Sequence, residues 1–170
     1  MAKVSICVPT YNNASEVERL LQSVHRQNYT DYEVNISDDS TNEETAELIE
    51  RIIIEWNWQD RMHYIHNEKP LGHIYNWNAA IKMAAGEYIK IMFSDDWFTD
   101  SNSLGTFVSM LDEHPKANLA FSGSMQVLLD GQDIEQVKHL NKQVTEHGNA
   151  YARYAEDAFI ERLHRNYKLF

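Results

Sequence analysis

The stretch Tyr88-Ile-Lys-Ile-Met-Phe-Ser-Asp-Asp-Trp97 joins an apolar run to two adjacent carboxylates. A short run of β-branched and aromatic residues is typical of a buried strand, and this one ends at Asp95 and Asp96. Hard divalent cations prefer oxygen ligands and usually share them with a substrate phosphate. Adjacent aspartates after a strand are also common in turns and helix caps, so the pair alone leaves both interpretations open.

Similar apolar runs recur along the chain and alternate with segments of helical periodicity. This alternation predicts an α/β fold, Rossmann-like, with a mainly parallel sheet and helices on both faces. The predicted strands are Lys3–Val8, Tyr32–Ser37, Met62–His66, Tyr88–Phe93 and Leu119–Leu129, and the predicted helices are Ser15–Asn28, Glu43–Trp56, Ile74–Ala85, Ser101–Glu113 and Ala150–Tyr167.

Three residues predict where these elements begin or end. Pro9 is expected to stop the first strand, because proline cannot donate to a sheet ladder. Ser15 is expected to cap the first helix, and Gly86 to end the third helix in a left-handed conformation.

Polar residues follow each of the first four predicted strands. They form the segments Pro9–Asn13, Asp38–Ser40, Asn67–Lys69 and Ser94–Asp96. In open α/β sheets the ligand crevice lies beyond the carboxyl ends of the strands. The sequence therefore predicts a ligand site at this edge of the sheet.

The composition of these turns limits the classes of ligand that the site could bind. A dinucleotide fingerprint or a P-loop needs glycines after the first strand, and Pro9–Asn13 contains none. An edge rich in carboxylates repels a bare phosphate unless a cation intervenes. The site therefore suits either a cationic ligand or a metal–diphosphate complex. In the second case Tyr11 can stack on a base, and Asp39 can accept hydrogen bonds from a base or ribose.

Composition excludes several other classes. The chain has 170 residues, 43% of them hydrophobic and 24% charged, which predicts one packed domain or slightly more. Acidic residues exceed basic ones by 26 to 15, so nucleic acid is a poor partner. Cys7 lies in an apolar run and is expected to be a buried, unreactive thiol. No signal segment or bilayer-length apolar stretch is present, so we expect a cytoplasmic protein.

Six segments together resemble glycosyltransferase family 2, whose members are inverting enzymes with the nucleotide-diphospho-sugar transferase fold called GT-A. The resemblance covers about residues 3–100, in the family's order and spacing. The segments are Val4–Asn12, Gln27–Val34, Ser37–Ser40, Leu71–Asn78, Ala84–Ile89 and Phe93–Trp97.

This resemblance implies a set of site residues. It assigns Asp95-Asp96 to the family's metal motif for Mn²⁺ or Mg²⁺, with Asp96 the more direct ligand. The backbone around Pro9–Tyr11 and the side chains of Tyr11 and Asp39 would hold the base and ribose. The full set implied for nucleotide binding is Pro9, Thr10, Tyr11, Asp39, Gly72, Asn78 and Asp95.

The same resemblance implies the substrates. The donor would be a nucleoside-diphosphate sugar, most commonly a UDP-sugar. The acceptor would be a glycan or a lipid-linked acceptor in polysaccharide biosynthesis. Oligomeric state is left open.

The chain departs from the family pattern at two points. Phe93 stands where the first Asp of an Asp-x-Asp-Asp motif would be. Residues 1–115 correspond to the nucleotide-sugar-binding subdomain, and residues 116–170 to only the start of the acceptor side. We therefore expect the general base to lie outside this chain, because Glu156-Asp157 fits a solvated helix face better than a base motif.

Three alternatives stay open. The fold could serve a non-catalytic nucleotide-sugar-binding or assembly module. It could also serve a sugar-phosphate nucleotidyltransferase, although that class normally has a glycine-rich, basic loop where this chain has Pro9–Asn13. Within the matched motifs, Trp77 and Trp97 fit pocket lining and core packing equally well.

Overall fold

The computed structural model describes residues 2–122 and 168–169. Five parallel strands form one sheet in the order β3-β2-β1-β4-β5, which confirms the predicted α/β architecture. The strands are β1 (Val4–Thr10), β2 (Tyr32–Asp38), β3 (Met62–His66), β4 (Tyr88–Ile91) and β5 (Lys168–Leu169). The helices are α1 (Ala14–His25), α2 (Glu44–Trp56), α3 (His73–Lys82) and α4 (Ser103–Glu113).

The two faces of the sheet carry different helices. Alternate residues of β1, such as Val4 and Ile6, belong to one apolar cluster with buried residues of α1, α2 and α4. The neighbouring Ser5 points to the other face, where its Oγ accepts the Gly86 N–H at 2.8 Å. Helix α3 contacts β1 and β2 and leads directly into that connection. The helices therefore cover both faces, as the alternation of strands and helices predicts.

The prediction that Pro9 stops the first strand is wrong, because β1 runs on to Thr10. In a parallel strand, successive N–H groups point to opposite neighbours. The carbonyl of Cys7 accepts Met92 N–H on the β4 side, so Pro9 also faces that side. Strand β4 has already ended at Ile91, which pairs with Cys7. A backbone N–H at position 9 would therefore have no strand partner, and proline costs the sheet no hydrogen bond there.

Two predicted boundary residues have other roles. Helix α1 begins at Ala14 after Asn13, so Ser15 lies inside the helix and does not cap it. Helix α3 ends at Lys82, and Gly86 is not in a left-handed conformation. A Cβ at Gly86 would lie 2.8 Å from the backbone nitrogen of Ser5, so close packing against β1 is what requires glycine there.

Several other bounds differ from the predicted ones. Helix α1 ends at His25, short of the predicted Asn28, and β4 ends at Ile91, short of the predicted Phe93. The turn from Phe93 to Asp96, in which Asp96 N–H donates to Phe93 O at 2.9 Å, replaces the end of the strand. No helix within residues 2–122 is long and apolar enough to cross a membrane.

The chain divides into two compact units. The first comprises Met1–Ala120 with Lys168–Phe170, and the second is Phe121–Tyr167. Of the predicted strand Leu119–Leu129, Leu119 makes an isolated bridge and the next three residues are not in a strand. The remainder of that strand and the predicted helix Ala150–Tyr167 lie outside the described residues, and so do Glu156 and Asp157.

Candidate functional site

Asp39 is a buried carboxylate at the carboxyl edge of the sheet, and both of its oxygens accept hydrogen bonds. It follows β2, is 3% exposed, and donates its backbone N–H to Thr10 O at 3.0 Å. Its Oδ1 accepts Asn67 Nδ2–H and its Oδ2 accepts Gly72 N–H, each at 2.8 Å. These two donors hold the Asp39 carboxylate in one orientation. Because each carboxylate oxygen can accept two hydrogen bonds, Asp39 can still accept further hydrogen bonds from a ligand.

Gly72 has a geometric reason to be glycine. Its φ of 83° and ψ of 160° place it in a region that is essentially restricted to glycine. This conformation directs its N–H to Asp39 immediately before α3 begins. Gly72 thus acts on the candidate site through Asp39.

Asn78 is not brought to the hydrogen-bonded centre of the site. Its Nδ2 donates to Ile74 O one turn earlier in α3, at 2.8 Å. The asparagine of α3 that does reach the strand ends is Asn76, which is buried and donates to Thr10 O at 3.0 Å. The sequence did not indicate a role for Asn76 or Asn67, although Asn67 lies in the polar segment Asn67–Lys69 that was predicted at this edge of the sheet.

A hydrogen-bonded relay connects the ends of β1 and β4. Thr10 Oγ1–H donates to Asn13 Oδ1 at 2.5 Å, and Asn13 Nδ2–H donates to Ser94 Oγ at 2.5 Å. Ser94 directly precedes Asp95. Together with the bond from Asp39 N–H to Thr10 O, the relay joins Asp39 to the segment that carries the carboxylate pair.

Tyr11 is turned outward by the residue that follows it. Asn12 adopts a left-handed φ of 49°, donates its N–H to Ser40 Oγ at 2.8 Å and accepts Thr41 N–H on Oδ1 at 2.9 Å. Asparagine tolerates this conformation better than most residues. Tyr11 is left 53% exposed at the sheet edge, whereas Pro9 and Thr10 are buried. Only Tyr11 of these three can offer its side chain to a ligand.

Asp95 and Asp96 lie exposed on the turn after β4. Partial desolvation of the Asp96 carboxylate and the adjacent Asp95 charge raise its pKa, and the Lys90 ammonium acts in the opposite direction. No group of three or more His, Cys, Asp or Glu side chains in the described part of the chain could hold a metal. Two carboxylates fit a cation whose remaining ligands are phosphate oxygens and water, which is the usual arrangement for Mg²⁺.

Asp38 shows what a structural carboxylate looks like in the same turn. Its Oδ1 accepts Ser40 N–H at 2.8 Å, its Oδ2 accepts the Tyr64 hydroxyl at 2.7 Å, and the residue is fully buried. Burial is the main cause that raises the pKa of the Tyr64 hydroxyl, and its hydrogen bond to Asp38 raises the pKa further. Asp38 therefore stabilises the contact between β2 and β3.

A cleft of about 520 Å³ opens beside β2 and β3. It shares Asn67 with the partners of Asp39, but none of the residues predicted to bind nucleotide or metal lines it. Its walls are Ser40, Thr41, Glu43, His66, Asn67, Glu68 and Pro70.

The chain matches a known protein family. A sequence model described as "Glycosyl transferase family 2" matches residues 5–155. The chain belongs to glycosyl transferase family 2.

Two of the curated relatives that the chain matches are named as bacterial glycosyltransferases. The chain is 26% identical over 148 residues to the GalNAc(5)-diNAcBac-PP-undecaprenol beta-1,3-glucosyltransferase of Campylobacter jejuni, a match covering 84% of this chain and 47% of that protein. It is 35% identical over 106 residues to the putative colanic acid biosynthesis glycosyl transferase WcaA of Escherichia coli, covering 62% and 37%. The chain thus spans less than half the length of each relative.

Solved structures show the same GT-A fold. Residues 1–349 of Staphylococcus aureus TarS in complex with UDP superimpose with a TM-score of 0.61 at 26% identity, over 77% of this chain and 37% of that one. The mannosyltransferase PcManGT from Pyrobaculum calidifontis, in complex with GDP-Man and Mn²⁺, gives a TM-score of 0.64 at 22% identity, over 79% and 38%. The second match supports the fold alone.

Proposed function

We propose that this chain is the nucleotide-sugar-binding part of a glycosyltransferase that transfers a sugar, with inversion, from a nucleoside-diphosphate sugar to an acceptor hydroxyl. The observation that carries the proposal is the relay from Asp39 through Thr10, Asn13 and Ser94. It connects a buried, oriented acceptor to a pair of exposed carboxylates. A metal-bound nucleotide needs a hydrogen-bond acceptor for its base or ribose at one end of the site. At the other end it needs carboxylates that bind the cation.

The nucleotide end of the site would be formed by Tyr11 and Asp39. The exposed Tyr11 ring can stack on a base, because every base has a flat π-face. The unfilled acceptor positions of Asp39 can receive N–H or O–H groups of base or ribose. Pro9 and Thr10 would contribute the backbone that places Tyr11, and Gly72 would orient Asp39.

The diphosphate end would be formed by Asp95 and Asp96. These carboxylates would hold Mn²⁺ or Mg²⁺, with Asp96 the more direct ligand. A divalent cation bound there would neutralise the charge of the departing nucleoside diphosphate as a Lewis acid. PcManGT, which has the same fold, is solved with GDP-Man and Mn²⁺, so the fold is compatible with a divalent ion beside a sugar nucleotide.

The relatives support a choice of donor and acceptor within this proposal. TarS is solved with UDP and with UDP-GlcNAc, so a UDP-sugar is the favoured donor, and a GDP-sugar is the second choice. A glycan or lipid-linked acceptor fits the relatives named for undecaprenol-linked and colanic acid glycans. The general base that activates the acceptor hydroxyl is assigned to no residue here.

Calorimetry on the 170-residue chain tests the proposal. We expect UDP or GDP to bind in the presence of Mn²⁺, and at least about tenfold more weakly without it or in Asp96→Asn, because a phosphate beside bare carboxylates is repelled. Asp60→Asn is the matched control, since it removes an exposed aspartate just before β3, at the opposite edge of the sheet. Binding of neither nucleotide would refute the function, and unchanged binding in Asp96→Asn would refute the metal assignment.

Hydrolysis separates an enzyme from a binding module. A glycosyltransferase site can transfer the sugar slowly to water, so we expect nucleoside diphosphate to be released from a bound donor when Mn²⁺ is present. Release that is lost in Asp96→Asn would exclude the non-catalytic module.

A further inference from the structure

An aromatic pair stands next to the carboxylate pair. The rings of Phe93 and Trp77 have centroids 4.8 Å apart and planes tilted by 49°. Phe93 occupies the position at which Asp-x-Asp-Asp members of the family carry an acidic residue. It is 39% exposed and lies just before Ser94. The chain therefore presents an aromatic surface where an acidic one would be expected.

Both residues are held by the candidate site itself. The carbonyl of Phe93 accepts Asp96 N–H at 2.9 Å, so the backbone of Phe93 forms the turn that presents the carboxylates. Trp77 lies on α3, whose start is tied to Asp39 by Gly72 N–H and whose Asn76 is tied to Thr10. The pair thus connects the element that orients Asp39 with the element that carries Asp96.

Core packing does not account for this pair. Neither ring belongs to the main apolar cluster of the sheet, whose members are buried. Ile74, one turn before Trp77 on α3, is 64% exposed. Phe93 and Trp77 form a partly exposed apolar surface, which we call the aromatic platform, and Ile74 lies three residues before Trp77 on the same face of α3. An apolar surface beside carboxylates suits a ligand that is polar at its edges and apolar on one face.

We propose that the aromatic platform packs against the C–H face of the sugar carried by the donor nucleotide. A pyranose ring exposes C–H groups on its faces and hydroxyls at its edges. The negative face of an aromatic ring attracts such weakly positive C–H groups. This inference rests on the proposed function and adds that Phe93 contributes to binding of the sugar and not of the nucleotide.

Calorimetry with paired ligands tests the platform in the 170-residue chain with Mn²⁺. The probes are UDP with UDP-GlcNAc, and GDP with GDP-Man. In Phe93→Leu, which keeps apolar bulk but removes the ring, we expect sugar-nucleotide affinity to fall about five- to tenfold and diphosphate affinity to stay unchanged. Phe93→Tyr keeps the ring face and should bind both ligands like the wild type.

Tyr75→Leu is the matched control. Tyr75 is 71% exposed on the same helix but lies two residues before Trp77, about 200° around the helix axis. Its loss should change neither affinity. A proton NMR spectrum adds a second readout, because sugar protons above an aromatic face shift upfield. That shift should be present in wild type and Phe93→Tyr and smaller in Phe93→Leu, where only the Trp77 ring remains.

The outcomes separate the two proposals. If wild type binds neither UDP nor GDP, the proposed function fails and the platform fails with it. If wild type binds them and Phe93→Leu loses no sugar-nucleotide affinity, only the platform is refuted. Equal losses for the diphosphate and its sugar nucleotide would also refute it, because they would show that Phe93 merely supports the carboxylate turn.

Discussion

The carboxylate of Asp39 is oriented by two donors from the connection between β3 and α3, Asn67 and Gly72. The Gly72 donor depends on a backbone conformation that costs other residues of order 1–3 kcal/mol. Gly72, which has no side chain, therefore controls the direction of the Asp39 carboxylate proposed to accept hydrogen bonds from the base or ribose.

Gly72→Ala tests this control at the residue scale. A Cβ at Gly72 would meet no heavy atom within 4 Å, so the cost comes from backbone strain alone. We expect the free energy of unfolding in urea to fall by about 1–3 kcal/mol. Nucleotide affinity should fall as well, because relaxation of φ turns the N–H away from Asp39. A stable variant with unchanged affinity would contradict this role.

Residue chemistry could be predicted from sequence where it depends on local context. Cys7 is fully buried, and desolvation raises its pKa to about 12, as expected of an unreactive core thiol. The conformations of Gly72 and Gly86 were not predictable in this way. Each depends on a neighbour far along the chain, Asp39 in one case and Ser5 in the other.

The connection from α3 to β4 is held to the sheet by polar contacts. Gly86 N–H donates to Ser5 Oγ at 2.8 Å, and Ala85 N–H donates to Glu33 Oε1 at 2.8 Å. These two bonds place the start of β4 beside β1. The position of β4 in turn determines where its terminal carboxylates emerge.

Gly86→Ala tests this contact at the scale of elements. The added Cβ would lie 2.8 Å from Ser5 N and 2.9 Å from Val4 C, and backbone atoms cannot move aside cheaply. We expect a loss of about 1–3 kcal/mol in the free energy of unfolding, typical of overpacking. Gly105→Ala in α4 is the control, since its Cβ would make an ordinary 3.6 Å contact with Tyr29. Destabilisation in Gly105→Ala alone would contradict the argument.

Element types were largely predictable because periodicity is a local property. Met62–His66 was predicted with the bounds that the structure shows, and the predicted helix Glu43–Trp56 differs from α2 by one residue at its start. Boundaries were less accurate where tertiary contacts decide them. Pro9 remains in β1 only because β4 has already ended beside it.

At the scale of the molecule, Glu33 is a buried carboxylate that joins β1, β2 and the connection between α3 and β4. It is 8% exposed and accepts Ser5 Oγ–H at 2.7 Å, Ala85 N–H at 2.8 Å and Asn35 Nδ2–H at 3.2 Å. Desolvation is the largest single influence and raises its pKa, but the hydrogen bonds outweigh it and the net pKa is lowered. The ionised form is therefore bound more favourably in the folded state.

This shift predicts a pH dependence of stability. A carboxyl whose folded pKa is lowered stabilises the fold above its unfolded pKa, here near 4.5, and loses that contribution as pH falls through the folded value. The free energy of unfolding of wild type should fall more steeply between about pH 5 and pH 3 than that of Glu33→Gln. Glu50→Gln, an exposed change on α2, should keep the wild-type slope. Parallel curves for Glu33→Gln and wild type would contradict the prediction.

The sequence by itself determined the order along the chain of the first four strands and four helices, and the polar segments after each of those strands. Hydrophobic periodicity and turn chemistry act over a few residues, so they can be read directly from the chain. The stretch Tyr88–Trp97 thus indicated a strand that ends in two carboxylates. It also supported the resemblance to the family to which the chain belongs.

Only the tertiary structure decided which of these polar groups meet. Asn13 donates to Ser94, 81 residues away, and Gly72 donates to Asp39, 33 residues away. Phe93 and Trp77 likewise come together from different elements. Such contacts depend on strand order, register and the face that each helix covers, and these are set by packing the whole sheet. Local sequence can predict the groups at the sheet edge, but it cannot predict how they are paired.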